Sequence, residues 1–265
     1  MPHLIKRELI ASWKALLFWT LGLLLFGAIG FYEYGALLGA QGGVTALFDR
    51  MPRILKVTFG FGSLPITSPE GYYACMFLYS CCFAYTHAAL LGASLLIKEE
   101  RGRTVDFLFT RPMTRTRILA GKLLSGVLMV LWISAVTWGS SLMFYLPQLE
   151  DTAFAADIHL TTIGMLLTQL LFLFAGFFFA AVLKNAKRAP QVAALLVLGS
   201  FLLSVLLELS EPPAWADLFS PFRFFSAAGV LTGGVRPLFA VVTVLLLAVF
   251  GVSAFRAYGR RDLVY

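Results

Sequence analysis

Apolar residues run almost unbroken through six stretches of this chain, near residues 16–34, 72–97, 123–146, 160–183, 189–209 and 238–255. Each is close to the roughly 20 residues a helix needs to cross a hydrocarbon layer about 30 Å thick, where every backbone polar group must be bonded within its own segment. The pattern predicts six membrane-spanning helices. Shorter patterned pieces lie around them. Residues 2–15 place Ile5, Leu9, Ser12, Trp13 and Leu16 on one helical face with Arg7 and Lys14 opposite, which predicts a helix lying in the membrane interface before the chain turns into the first span. Val44, Leu47, Phe48, Met51, Ile54 and Leu55 recur at helical spacing between charged residues, predicting an amphipathic helix bent at Pro52. From Glu211 to Phe225, prolines interrupt an aromatic-rich stretch expected to dip into the headgroup layer as a short re-entrant element.

Composition agrees with the periodicity. The 265 residues are 59% hydrophobic and 13% charged, with a mean hydropathy of +0.83; about a quarter of residues are charged in a soluble domain. Charge then sets orientation. If the N-terminal arm is cytoplasmic, sixteen of the 21 Lys and Arg residues fall on the inside, and only Arg50, Arg53, Lys56, Arg223 and Arg236 fall outside. Basic residues are retained on the cytoplasmic face, so both termini are expected inside a cytoplasmic (plasma) membrane, in a bacterial or archaeal setting. The net charge of +7 is accounted for by topology and by attraction to anionic lipid, and no nucleic-acid partner is needed.

Reactive chemistry is sparse. There is no phosphate loop, no HExxH and no GxSxG, and His3, His87 and His159 fall at depths too different to combine into a metal site. No catalytic and no metal-binding residues are expected. Cys75, Cys81 and Cys82 all fall inside the second span, without a CxxC, and are expected to act as apolar fillers. His87 is the ionisable group nearest mid-membrane, thiols and phenols aside; it either lines a polar path or is a neutral imidazole bonded to a neighbouring helix. Ser200-xxx-Ser204 and the Gly35-xxx-Gly39 step predict close helix contacts, between two copies of the chain or within one.

The segment between the second and third spans is different. It sets Val105, Phe107, Leu108 and Phe109 among charges, where a loop meeting only water would be polar. Gly102 can end the helix leaving the membrane, Thr104 can cap a short helix with Asp106 in its first turn, Arg111-Pro112 stops it, and Thr114 can cap the third span. A charged hairpin resting on headgroups is one reading. Two phenylalanines on a one-turn helix projecting from the membrane argue instead for a socket in another protein.

The run Glu99-Glu100-Arg101-Gly102-Arg103-Thr104-Val105-Asp106-Phe107-Leu108, followed by Thr110-Arg111-Pro112-Met113-Thr114-Arg115 and Gly121-Lys122, resembles the corresponding segment of ABC-2-type transporter permeases. The likeness extends to the six-span plan, the outer helix with Pro52, and Ser220-Pro221-Phe222 before the last span. Arg103 departs from it, standing between a Gly and a Thr that are often adjacent in the family. The resemblance implies an all-α integral membrane protein: one transmembrane domain over residues 1–265, with six helices, an N-terminal interface helix and a cytoplasmic coupling helix between spans two and three. It implies a permease subunit that exports or extracts a hydrophobic or amphipathic compound. The expected partners are two ABC ATP-binding subunits, which would hold ATP and Mg and do the hydrolysis, a second permease copy or paralogue, and membrane lipid. Carried over, the ATPase-coupling interface is Glu99, Glu100, Gly102, Thr104, Asp106, Phe107 and Phe109; the chain itself carries no cofactor and is not an enzyme, and substrate residues are not assigned. The alternative is a secondary carrier or channel working alone, which would want mid-membrane carboxylates or inverted symmetry.

Overall fold

The structure, a computed structural model, describes residues 2–39, 48, 50–62, 64–102, 114–145, 153–183, 185–210 and 213–260. Six helices among them are long and apolar enough to cross a membrane: α1 (Pro2–Gly39), α3 (Pro69–Gly102), α4 (Arg115–Tyr145), α5 (Ala153–Val182), α6 (Ala189–Ser210) and α9 (Pro237–Gly259). The chain is a multi-pass membrane protein. Most of these helices extend well past the apolar intervals, because helical hydrogen bonding continues into polar flanking residues once a span has nucleated it. Shorter pieces are α2 (Arg53–Thr58), α7 (Pro221–Phe224) and α8 (Ala227–Gly233), with 3-10 turns at Ala186–Arg188 and Ala214–Phe219.

α3, α4 and α5 form the interior, and α1, α6 and α9 line its outside. The centre is the crossing of α3 and α5. A Cβ built on Gly92 would stand 2.0 Å from the Leu173 carbonyl oxygen, and one built on Gly176 would stand 2.2 Å from that of Ala89. Only glycine lets the two backbones approach this closely, and Ala89, Ala93 and Ala180 keep the rest of the contact narrow. Small residues take this role in lipid, where packing rather than water exclusion holds helices together. Polar bonds supplement it: Ser134 of α4 donates to the Gln169 side-chain oxygen of α5, and Tyr73 of α3 shares a 2.7 Å bond with Thr161 of α5.

α1 runs along α4 from end to end. Leu4 meets Gly121, the Trp132 indole donates to Thr20 Oγ1 at 3.0 Å, and Phe31 stacks on Phe144 at 5.6 Å. The turn expected between an interface helix at 2–15 and the first span is not there; residues 2–39 are one helix, about 57 Å long at 1.5 Å per residue. Its buried face near the N-terminus overlaps the expected one at Ser12, with Leu9 and Leu16 half-buried, but is turned from it. Leu4, Glu8 and Ser12 are buried, whereas Trp13 is exposed, because the helix packs on α4 and not on a lipid surface.

Three further expectations meet the structure here. Helix α2 starts at Arg53, immediately after Pro52, and Phe48 on the other side of the proline is also helical, so the chain breaks its helical path around Pro52; Val44 and Leu47 lie outside the described residues. The segment before α9 is driven deep into the bundle. Phe222 lies 4.9 Å from Tyr85 and 5.5 Å from Phe201, ring to ring, and Phe225 fills the notch left by Gly164 on α5. Ser200 and Ser204 face inward: Ser220 Oγ donates to the Ser200 carbonyl at 2.9 Å, so the small-residue step on α6 is used within the chain. Gly35 and Gly39, by contrast, have nothing within 4 Å of an added Cβ among the described residues.

Candidate functional site

Helix ends gather basic residues at one end of the bundle. Leu173 of α5 lies beside Gly126 of α4, and Phe177 of α5 lies 6.4 Å from Phe255 of α9, so the 3-10 turn with Lys187 and Arg188 and the last turn of α9 with Arg256 sit at the end where α4 begins. There Thr114 Oγ1 accepts from the Arg117 amide at 3.4 Å, the cap expected of it, and starts α4. Two turns on, Gly121 admits α1: a Cβ at this position would stand 2.8 Å from Leu4 Cδ2. The next residue, Lys122, is only 1% exposed. Its Nζ donates to the Leu95 carbonyl of α3 at 2.7 Å and to Glu8 Oε1 of α1 at 3.3 Å, and Arg7 Nη2 lies 3.4 Å from the same carboxylate oxygen. An ammonium in so dry a place persists only if paired and hydrogen-bonded. One side chain thus binds α1, α3 and α4 together, at the point where residues 103–113 connect the last two.

The opposite end carries a second charge cluster. Asp217, on the 3-10 turn after α6, takes Arg223 Nε on one oxygen and Arg236 Nη1 on the other at 3.4 Å. Arg223 Nη1 reaches Glu208 Oε2 at 3.4 Å, and Arg53 Nη2 of α2 donates to the Glu208 carbonyl at 3.4 Å. The cluster pins α2, the end of α6, α7 and the start of α9 over a cavity of about 460 Å³.

A family profile described as ABC-2 family transporter protein matches residues 3–263. The chain belongs to the ABC-2 transporter family. No curated protein matches the sequence. The buried clamp of this ABC-2 permease therefore lies on the stretch where the sequence resembles other family members, since Gly121-Lys122 closes that run.

Of the positions expected to face an ATPase, Glu99, Glu100 and Gly102 belong to the last turns of α3, four to seven residues beyond the Leu95 carbonyl that Lys122 holds. Thr104, Asp106, Phe107 and Phe109 lie outside the described residues. Sequence reasoning missed Glu8 and Lys122 as a pair. The signal was present: Leu4, Glu8 and Ser12 recur every fourth residue, and Lys122 stands alone between Leu119 and Leu123. His87 is buried against Trp19, with ring centroids 5.4 Å apart, and its Nδ1 has no hydrogen-bond partner among the described residues. Cys75 and Cys81 are buried, and Cys75 Sγ lies 3.2 Å from the Phe59 carbonyl.

Proposed function

We propose that this ABC-2 permease is the transmembrane subunit of an ATP-driven exporter of hydrophobic or amphipathic compounds. It works as a pair of permeases with two cytoplasmic ATP-binding subunits, with both its termini cytoplasmic. ABC-2 permeases normally work with such subunits, and the basic end of the bundle fits the cytoplasmic side. The observation that carries the reading is the three-helix clamp. Residues 103–113 link α3 to α4, and Lys122 ties those two helices to each other and to α1 about two turns from each junction. A push on the segment would then move three helices together, as a coupling element requires, whereas a headgroup-facing hairpin needs no such tie. The mechanism is mechanical: the ATPase closes, the segment carrying Phe107 and Phe109 transmits the displacement, and this chain hydrolyses nothing.

The test is Phe107→Ala combined with Phe109→Ala. Aromatic anchors at a buried interface centre are each worth about 2 kcal/mol or more, so the double variant should lose co-purification with the ATPase or leave ATP turnover uncoupled from transport, while inserting normally. Gly102→Val is a second probe of the same junction. Wild-type binding and coupling in the double variant, or transport that continues without ATP, would return the chain to the class of carriers working alone.

A further inference from the structure

The cavity under the outer charge cluster is built from parts of opposite character. Its deep wall is apolar, made by Phe77 and Cys81 of α3, Phe201 of α6 and Phe222 of α7. Its mouth is ionic, with Glu208 seven residues along α6 from Phe201, a rise of about 10 Å. A volume of about 460 Å³ falls in the range of sites that hold small organic molecules, roughly 300–1,000 Å³.

The hydrogen bonds at the mouth decide which charge it offers. Both oxygens of Asp217 are taken, one by Arg223 and one by Arg236, and Glu208 Oε2 is taken by Arg223. Glu208 Oε1 carries no bond among the described residues; it stands beside Gly62, 2.8 Å from where a Cβ would be, on a side chain that is 40% exposed. A guanidinium carries five N–H donors, and these bonds engage only Nε and Nη1 of Arg223 and Nη1 of Arg236. Three of the four carboxylate oxygens are engaged, whereas most of the guanidinium donors are not. Arg236 is also 59% exposed on its side chain, so it is open to an incoming group.

From this we infer that the cavity is a binding site for a single-chain amphiphile with an anionic head, a phosphate or a carboxylate. The tail lies among Phe77, Phe201 and Phe222, and the head accepts hydrogen bonds from Arg236 and Arg223. Charge-assisted bonds to a planar fork favour such oxyanions. A cationic head finds a single unbonded carboxylate oxygen, Glu208 Oε1, against several unengaged guanidinium N–H groups. Two sources share this chemistry, a lipid of the surrounding leaflet and an exported compound. Only the second rests on the proposed transport function; the site itself does not.

The probe is an eight-carbon alkyl phosphate with a diazirine at the tail end, used on the full chain in zwitterionic nanodiscs. Photolysis should label peptides containing Phe77, Phe201 or Phe222. Excess unlabelled alkyl phosphate should suppress that labelling at a concentration about tenfold lower than alkyl trimethylammonium of equal length. Arg236→Gln should erase most of this preference, and Ser204→Phe, which fills the cavity, should abolish the labelling itself; the unfolding temperature of each variant checks that it is folded. Equal competition by the two heads, or labelling confined to the outer faces of α1 and α9, overturns the proposal. An ATP arm with the assembled ATPase separates the sources: ATP-dependent loss of labelling marks exported cargo, and labelling indifferent to ATP marks a resident lipid, with the site standing in both cases.

Discussion

Lys122 Nζ lies 3.3 Å from Glu8 Oε1 although the two residues are 114 positions apart in the chain. The contact closes the N-terminal helix onto the start of α4, and the 2.7 Å bond from the same nitrogen to the Leu95 carbonyl adds the end of α3. Geometry alone does not say whether the pair stabilises the fold, because desolvation of two ions offsets much of their attraction. It does say that neither partner can be removed cheaply.

Lys122→Met should therefore destabilise the protein by about 3–5 kcal/mol, because it leaves the Glu8 carboxylate buried without the ammonium. Glu8→Leu combined with Lys122→Met should recover most of that loss, since an apolar pair of similar volume carries no desolvation cost. Thermal unfolding in one detergent, followed by tryptophan fluorescence, measures both. A Lys122→Met protein as stable as wild type would show that the pair is wet in the membrane. If the clamp also transmits force, the double variant should hydrolyse ATP in the assembled complex with reduced transport per ATP.

At the α3/α5 crossing, Gly92→Ala and Gly176→Ala should each cost more than the roughly 1–3 kcal/mol of ordinary overpacking, because the added methyl meets backbone, which cannot swing aside. Gly139→Ala and Gly199→Ala, where nothing lies within 4 Å of the added carbon, should stay within about 0.5 kcal/mol of wild type. The yield of monodisperse protein by size-exclusion chromatography, with unfolding temperature, separates the two sets. Equal behaviour would mean that the helices cross elsewhere.

Phe222→Ala should cost about 3–5 kcal/mol, since the ring is buried among Tyr85, Phe172 and Phe201. Phe219→Ala, three residues away and exposed, should change stability by less than about 0.5 kcal/mol. Comparable losses at the two positions would show that the segment before α9 rests on the surface rather than entering the bundle.

Cysteines at Glu150 and Asp157 should react with an impermeant thiol reagent added outside intact cells, and one at Lys187 should not. The native Cys75 and Cys81 are buried and give little background. Labelling of Lys187→Cys alone would invert the proposed orientation and put the clamp on the outer face.

The helices were legible because lipid imposes one rule on every span, and long apolar runs obey it whatever the neighbouring helices do. Their ends were less so: where Pro2 to Ala15 would go depended on whether α1 packs on lipid or on α4, and that is decided by Gly121 more than a hundred residues later. The basic residues gave a topology but hid a distinction among themselves. Lys122 and Lys187 count equally in a tally of charges, yet the first is sealed between helices and the second exposed. The outer cluster was illegible for the same reason. Glu208, Asp217, Arg223 and Arg236 lie on four separate elements, and nothing in their spacing announces that α6, the 3-10 turn, α7 and α9 converge.

The contact of Gly92 with Leu173 and of Gly176 with Ala89 puts two main chains against each other with no side chains between them. Side chains are what let packed helices creep past one another in small steps, each rotamer change taking up part of the slip. With that padding gone, α3 and α5 can either stay in register or part altogether. They form a keel. A displacement delivered to α3 through the Lys122 bond to Leu95 would therefore reach α5 undiminished, and the two would move as one body against the helices around them.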